Sequence, residues 1–237
     1  MNPVVGIVGA DHARAVRAAG GEPLVGDAGE VVAAAPDSVL AVGEQALCAL
    51  VAAGVEAPVL PVDAGPGISS VAEADLGAAL ERLLAGAYTR TERPLLATGA
   101  GVRALFDCML VTAEPARISE FTVHSGDDHV ATFRADGVVV ATPAGSHGYA
   151  RRADGPVVAP GTGVIAVVPV APFSTDADSW VVEPARLRLT VERDEAPVQL
   201  LADDRVAGEV AAGAPVEFGT TGQLAVAVVP ESAGPFA

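Results

Sequence analysis

A change of rhythm near residue 90 limits the architectures open to this chain. Before it, short apolar runs alternate with segments of helical spacing, as βα units do. Val4–Val8, Pro23–Val25, Ser38–Val42 and Pro58–Val62 read as strands. His12–Ala19, Glu30–Ala35 and Gln45–Ala53 read as the helices between them, and Val71–Leu84 places Leu76, Leu80, Leu83 and Leu84 on one face before Gly86 stops it. From about Thr91 onward, short β-rich runs recur, broken by Gly, Pro and Asp: Arg117–Val123, His129–Arg134, Val138–Ala141, Val164–Pro169, Trp180–Val182, Arg186–Glu192, Val198–Ala202, Val206–Val210 and Leu224–Val229. The clean alternation over Arg186–Glu192 suits a half-solvated antiparallel strand. Only Ser146–Ala153 reads as helical there. The expected fold class is therefore α/β + β: a small N-terminal parallel α/β domain over residues 1–90, then a β-sandwich-like domain over 91–237. The C-terminal strands keep the option of returning to the first domain.

Composition narrows the partners. A net charge of −16 over 237 residues argues against nucleic acid and anionic membrane, both of which call for a basic patch. A hydrophobic fraction of 51% excludes a disordered chain. The longest apolar stretch, Val164–Phe173, is interrupted by two prolines and falls short of the roughly 18–20 residues of a spanning helix. The N-terminus has no basic leader and reads as a first strand. All 14 basic residues are arginine. A GC-rich genome accounts for the missing lysine but not for the acid excess, so the composition points to a salt-accumulating halophile. Cys48 and Cys108 lie in apolar runs, as buried thiols without a disulfide or metal, which implies a reducing cytoplasm.

The richest chemistry lies between Arg134 and Pro156. A buried strand, Val138–Ala141, runs into Thr142-Pro143 and a Gly-Ser-His-Gly turn, with a short helix expected from Ser146. Backbone N–H groups at such a turn suit anionic oxygens. Thr142 and Ser146 supply hydroxyls, His147 a titratable donor and Tyr149 a ring for stacking, while Arg134, Arg151 and Arg152 surround the loop. A plain turn has the same composition. The concentration of arginine in so acidic a chain favours an anion or nucleotide site.

These residues resemble the NAD kinases, which phosphorylate the adenosine-ribose 2′-hydroxyl of NAD with ATP or, in some members, polyphosphate. The family's Asp-Gly, apolar strand and Thr-Pro-Thr-Gly-Ser-Thr-Ala-Tyr-Ser are matched by Asp136-Gly137, Val138–Ala141 and Thr142-Pro-Ala-Gly-Ser-His-Gly-Tyr-Ala150, and its Gly-Gly-Pro by Asp154-Gly155-Pro156. Val164–Phe173 is similar to the strand ending in Pro-Ile-x-Pro-His, Pro58–Gly65 to Pro-Val-Leu-Gly-Ile-Asn-x-Gly, and Gly86–Leu96 to the interdomain linker. The motifs run in order from about residue 38 to 175. The resemblance implies NAD as substrate, with ATP and Mg²⁺ supplying the phosphoryl group, in the cytoplasm. It implies a site between the domains across Gly43, Glu44, Asp107, Arg134, Asp136, Thr142, Gly145, Ser146, His147, Tyr149 and Arg152, and a homodimer or homotetramer whose neighbouring subunits complete it.

The departures fall on working residues. The family's Gly-Gly-Asp-Gly-Thr stands here as Val42-Gly43-Glu44-Gln45-Ala46, so Glu44 takes the place of the aspartate as the base. The Asn-Glu or Asn-Asp pair becomes Phe106-Asp107, and His147 and Gly148 replace Thr and Ala. The resemblance thus implies an NAD kinase-like phosphotransferase; a non-catalytic NAD(P)-binding relative and a kinase of another acceptor are the alternatives. Elsewhere, His124, Asp127, Asp128 and His129 imitate a metal set, but the flanking strands make Ser125–Asp128 a hairpin turn and no metal ligand is assigned. Gly6–Gly9 lacks the third glycine of a dinucleotide fingerprint, and a Walker loop needs a lysine.

Overall fold

Continuous apolar runs, such as Ser38-Val-Leu-Ala-Val42, have no polar face to offer water and must be covered on both sides. The computed structural model, which describes residues 2–114, 117–174, 178–194, 196–234 and 236, arranges them accordingly. Strands β1 (Val4–Val8), β2 (Glu22–Val25), β3 (Ser38–Val42) and β4 (Val59–Val62) form a parallel sheet in the order β2-β1-β3-β4. Helices α1 (Ala13–Ala18), α2 (Ala28–Ala33), α3 (Glu44–Ala53) and α4 (Leu76–Leu84) connect or follow them. α1 packs with α4 and α2 with α3, so the sheet is covered on two faces. Val5, Ile7, Leu40, Leu60 and Val62 join the α1–α4 core. On the other face, a Cβ at Gly6 would stand 2.4 Å from the Val31 side chain of α2.

Local signals set the helix ends. Asp27 accepts from the Glu30 N–H (2.8 Å) while the Glu30 side chain accepts from the Asp27 N–H (3.2 Å), a reciprocal cap for α2. Gly54, left-handed at φ 79°, closes α3. The helix expected over Val71–Leu84 begins only at Leu76. Val71 is held as a strand-like bridge to Val62 and Ser232, and a 3₁₀ turn over Glu73–Asp75 leads into α4.

Most strand pairings in the rest of the chain are antiparallel. β5 (Thr89–Thr98) pairs with β6 (Arg103–Ala104). One sheet has the order β12-β11-β10-β7-β14-β15, built from β7 (Asp107–Thr112), β10 (Gly137–Ala141), β11 (Ile165–Val170), β12 (Trp180–Val182), β14 (Val198–Ala202) and β15 (Arg205–Val210). The second runs β16-β13-β8-β9, from β8 (Ser119–Ser125), β9 (Asp128–Ala135), β13 (Leu187–Arg193) and β16 (Pro215–Val228). Cys108, Leu110, Val138, Val140, Ile165 and Val167 of the first sheet share a core with Phe121, Val123, Leu187, Leu189 and Val191 of the second, which makes this region a sandwich. The reverse face of β10 and β11 is covered by α5 (Tyr149–Arg152) and Val158.

The fold class read from the rhythm, parallel α/β followed by a β-sandwich, is the one observed. The chain forms two compact units, Met1–Arg93 with Gln223–Ala237, and Pro94–Gly222. The end of β16 lies parallel to β4, with Val226 beside Val59. β8 and β9 meet in the hairpin at Gly126-Asp127, and among the described residues no group of three His, Cys, Asp or Glu side chains is positioned to hold a metal. Both cysteines are buried without a disulfide, and Trp180 sits on edge strand β12, stacked on Phe133 at 5.7 Å. Among the described residues, no helix is long and apolar enough to cross a membrane.

Candidate functional site

In the parallel sheet, β1 leads leftward to β2 while β3 lies on its other side, so the carboxyl ends of β1 and β3 form a switch point where ligands of open α/β sheets bind. Three glycines line that end. Gly9, at φ 102°, has no room for a side chain: a Cβ would stand 2.3 Å from the Val42 carbonyl oxygen. Gly43 (φ 82°) donates its N–H to the Val62 carbonyl (2.8 Å) and begins α3 with no side-chain cap on the helix N-terminus. Gly65 (φ 79°) follows β4, and its Cβ position lies 3.8 Å from Glu44 Oε1. Glu44 is the exposed first residue of α3, with Gln45 exposed beside it.

The glycine loop of the second unit is fixed from below. The Thr142 hydroxyl donates to the Leu105 carbonyl (2.7 Å) and accepts from the Gly145 N–H (3.2 Å), while the Thr142 N–H donates to the Phe106 carbonyl (2.8 Å). Ser146 is wholly buried; its hydroxyl donates to the Pro143 carbonyl (2.8 Å) and accepts from the Val158 N–H (3.0 Å). The hydroxyls of Thr142 and Ser146 are thus spent on the shape of the loop. Gly145 lies directly on the Phe106 backbone. The helix expected from Ser146 is a 3₁₀ turn over Gly145–His147 and a single turn of α5, broken by Gly148 (φ −89°, ψ −120°). Tyr149 (42% exposed), Arg151 and Arg152 face solvent.

Asp107 belongs to the same end, paired with Ala141. Arg134 and Asp136 do not. They precede β10 and the glycine loop follows it, and the five strand residues between them set the two groups about 20 Å apart. Arg134 instead borders a groove of about 450 Å³ with Phe133, Phe173 and Trp180, its guanidinium 6.0 Å from the Phe173 ring.

Asp203, which sequence reasoning missed, shapes this end, beside Cys108 and His147. Asp203, in the β14–β15 turn, accepts from three successive N–H groups, Leu105 (2.9 Å), Phe106 (2.7 Å) and Asp107 (3.2 Å). Its place in a turn was readable; its reach across the sheet was not. Burial, with the nearby Asp203 and Asp107 charges, pushes the Cys108 thiol up to about 12, which leaves it unreactive. His147 carries a buried Nε2 with no partner among the described residues, and burial pushes its pKa down. The stability this ring gives as a neutral base is present above the unfolded value near 6.5 and lost as pH falls through the lower folded value. His147→Asn is therefore expected to flatten the acid side of a stability profile between pH 7 and 5; an unchanged slope would show that the ring does not titrate with folding.

Comparison with known proteins follows the same residues. The model of the ATP-NAD kinase C-terminal domain matches residues 106–227, more than half of the chain. The NAD kinase of Methanosarcina barkeri is 42% identical over 94 residues, covering 38% of this chain and 34% of that protein. That of Symbiobacterium thermophilum is 36% identical over 157 residues, covering 62% and 56%. The matches thus span about a third to a half of these relatives' lengths. Among solved structures, an NAD kinase from Archaeoglobus fulgidus in complex with ATP aligns with a TM-score of 0.78 at 20% identity, over 95% of this chain and 93% of that one. Yeast NADH kinase complexed with NADH aligns at 0.76 and 16%, over 98% and 85%. These two likenesses establish the fold.

Proposed function

The chain belongs to the ATP-NAD kinase family, and on that premise we propose that it transfers a phosphoryl group from ATP, or from polyphosphate, to the adenosine-ribose 2′-hydroxyl of NAD, giving NADP. The observation that carries this reading is Glu44, an exposed carboxylate between Gly43 and Gly65 at the uncapped N-terminus of α3. Uncapped N–H groups there suit a phosphate, and a carboxylate beside them suits a general base for the acceptor hydroxyl. Asp107, Gly145, His147, Tyr149 and Arg152 of the second unit are the proposed dinucleotide-facing set, with Thr142 and Ser146 holding the loop behind it, and Gly43 is a proposed phosphate-facing residue of the first unit. Arg134 and Asp136, at the far end of β10, serve the same ligand class at a second edge, which fits a site completed by the neighbouring subunit of a dimer or tetramer. With no group of three ligating side chains among the described residues, Mg²⁺ would be held by the nucleotide phosphates and at most one or two carboxylates, and would offset their charge. The acid-rich, lysine-free composition supports a halophilic source and work in a salt-rich cytoplasm.

The test is NADP formation from NAD and ATP/Mg²⁺ in multimolar KCl, with Glu44→Gln alongside. Wild-type turnover is expected, reduced about 10²–10⁴-fold in Glu44→Gln with an unchanged melting temperature. A folded wild type that binds NAD without turnover would make the protein a non-catalytic relative, the outcome that Gln45 and Phe106 at the altered motif positions favour.

A further inference from the structure

Arg93, on β5, is 5% exposed and has no carboxylate partner among the described residues. Its Nη2 donates to Ser69 Oγ (3.0 Å), while among the described residues its Nε is sealed from solvent without a partner and Nη1, the guanidinium nitrogen that still reaches solvent, makes no bond. A buried guanidinium is ordinarily paired, because one cation out of water with most of its five N–H donors unmet is costly. Carboxylates outnumber arginines about two to one in this chain, yet none among the described residues pairs with Arg93. Burial lowers its pKa, but an arginine still keeps its charge.

Ser69 adds the second half. It is buried and held in the left-handed region at φ 57°, a conformation that costs a residue with a side chain. Its oxygen accepts from Arg93, while its own O–H has no acceptor among the described residues. The neighbouring Ser70 shows the contrast: its hydroxyl accepts from the Ala64 N–H (2.8 Å) and is used up inside the loop. Arg93 and Ser69 are therefore two adjoining donors whose remaining N–H and O–H groups have no acceptor among the described residues.

We propose that Arg93 and Ser69 form an oxyanion site that takes a phosphate group, either free or as part of a nucleotide polyphosphate. The planar guanidinium offers paired N–H groups to two oxygens, and the serine O–H meets a third. This inference goes beyond the kinase reading and stands without it.

The test is calorimetric titration of the full chain with inorganic phosphate and, separately, with ATP at matched ionic strength, for the wild type, Ser69→Ala, Arg93→Lys and Arg93→Met. Binding of at least one ligand is expected, weakened about tenfold in Ser69→Ala and in Arg93→Lys, and lost in Arg93→Met. Loss of phosphate binding identifies the free ion as the source, and loss of ATP binding alone identifies the nucleotide. Arg93→Met should melt no lower than wild type in phosphate-free buffer, because it removes an uncompensated buried charge. A large fall in its melting temperature, or binding unchanged in Ser69→Ala and Arg93→Lys, would overturn the site, as would failure of both ligands to bind folded wild type. NADP formation is read independently: its absence with phosphate binding weakened in Arg93→Lys and lost in Arg93→Met removes the kinase reading and leaves this one.

Discussion

Gly145→Ala is expected to cost about 3–5 kcal/mol of stability and, on the proposed function, to remove dinucleotide binding, combining overpacking with the loss of buried hydrogen bonds. A Cβ at position 145 would stand 2.0 Å from the Phe106 carbonyl oxygen, 2.4 Å from its carbon and 2.9 Å from its Cα. All three atoms are backbone, so no side-chain rotation relieves the clash. The loop must lift, and with it go the Gly145 N–H bond to Thr142 Oγ1 and the Ser146 N–H bond to the Thr142 carbonyl. The 3₁₀ turn that presents His147 then leaves its position. Gly77→Ala is the control, because α4 gives its Cβ open space. That change should stabilise by roughly 0.5–1 kcal/mol. Denaturant midpoints for the two variants, with calorimetric titration of NAD, check both halves. A Gly145→Ala protein as stable as Gly77→Ala would mean that the loop is not seated on Phe106.

Gly145 also shows where the sequence stops speaking. Its place in a Gly-Ser-His-Gly turn is legible, but the reason for a glycine is a carbonyl 39 positions earlier, brought there by the pairing of β7 with β10. β7 itself leaves little trace. Asp107-Cys-Met-Leu-Val-Thr opens on a turn-favouring residue, and cysteine and methionine carry weak strand preference, yet this is a central strand with Cys108 and Leu110 in the core. The first half of β16 hides for a different reason. Gly219-Thr-Thr-Gly222 has the composition of a turn, while the strand runs through it, with only Gly222 at positive φ (64°). By contrast, β1, β3 and β4 were plain, because strands covered on both faces must be apolar throughout. Their order, and so the switch point where Gly9 and Gly43 meet, follows from packing that no local window contains. The buried Arg93 belongs with these: in the sequence it is one arginine in a linker, and only burial makes it informative.

Asp203→Ala should be the other costly change, about 4 kcal/mol, because it strips the acceptor from three adjacent N–H groups at once. Leu105, Phe106 and Asp107 donate to this one carboxylate, and Asp203 returns the contact through its own N–H to the Asp107 carbonyl (2.9 Å). The segment it holds is the floor on which Thr142 and Gly145 rest, so the loss should propagate to the loop. Asp203 also sits at φ 51°, where Asp and Asn are tolerated better than Ala. Asp203→Asn keeps one acceptor oxygen and the turn conformation, and should cost only about 1–2 kcal/mol. The acid behaviour separates the two roles. Burial raises the Asp203 pKa, outweighing the opposing pull of the three N–H groups and Arg205. The native state therefore holds this proton to higher pH than the unfolded chain does. The stability that Asp203 contributes as a neutral acid is complete below about pH 3.9 and lost as pH rises through the folded value. Asparagine cannot lose a proton, so the difference between Asp203→Asn and wild type should narrow from pH 4 to pH 7, while Asp203→Ala stays far below both. Denaturation curves at those pH values decide it: equal penalties for Ala and Asn would mean that the full carboxylate, and not the turn conformation that asparagine keeps, is what this position supplies.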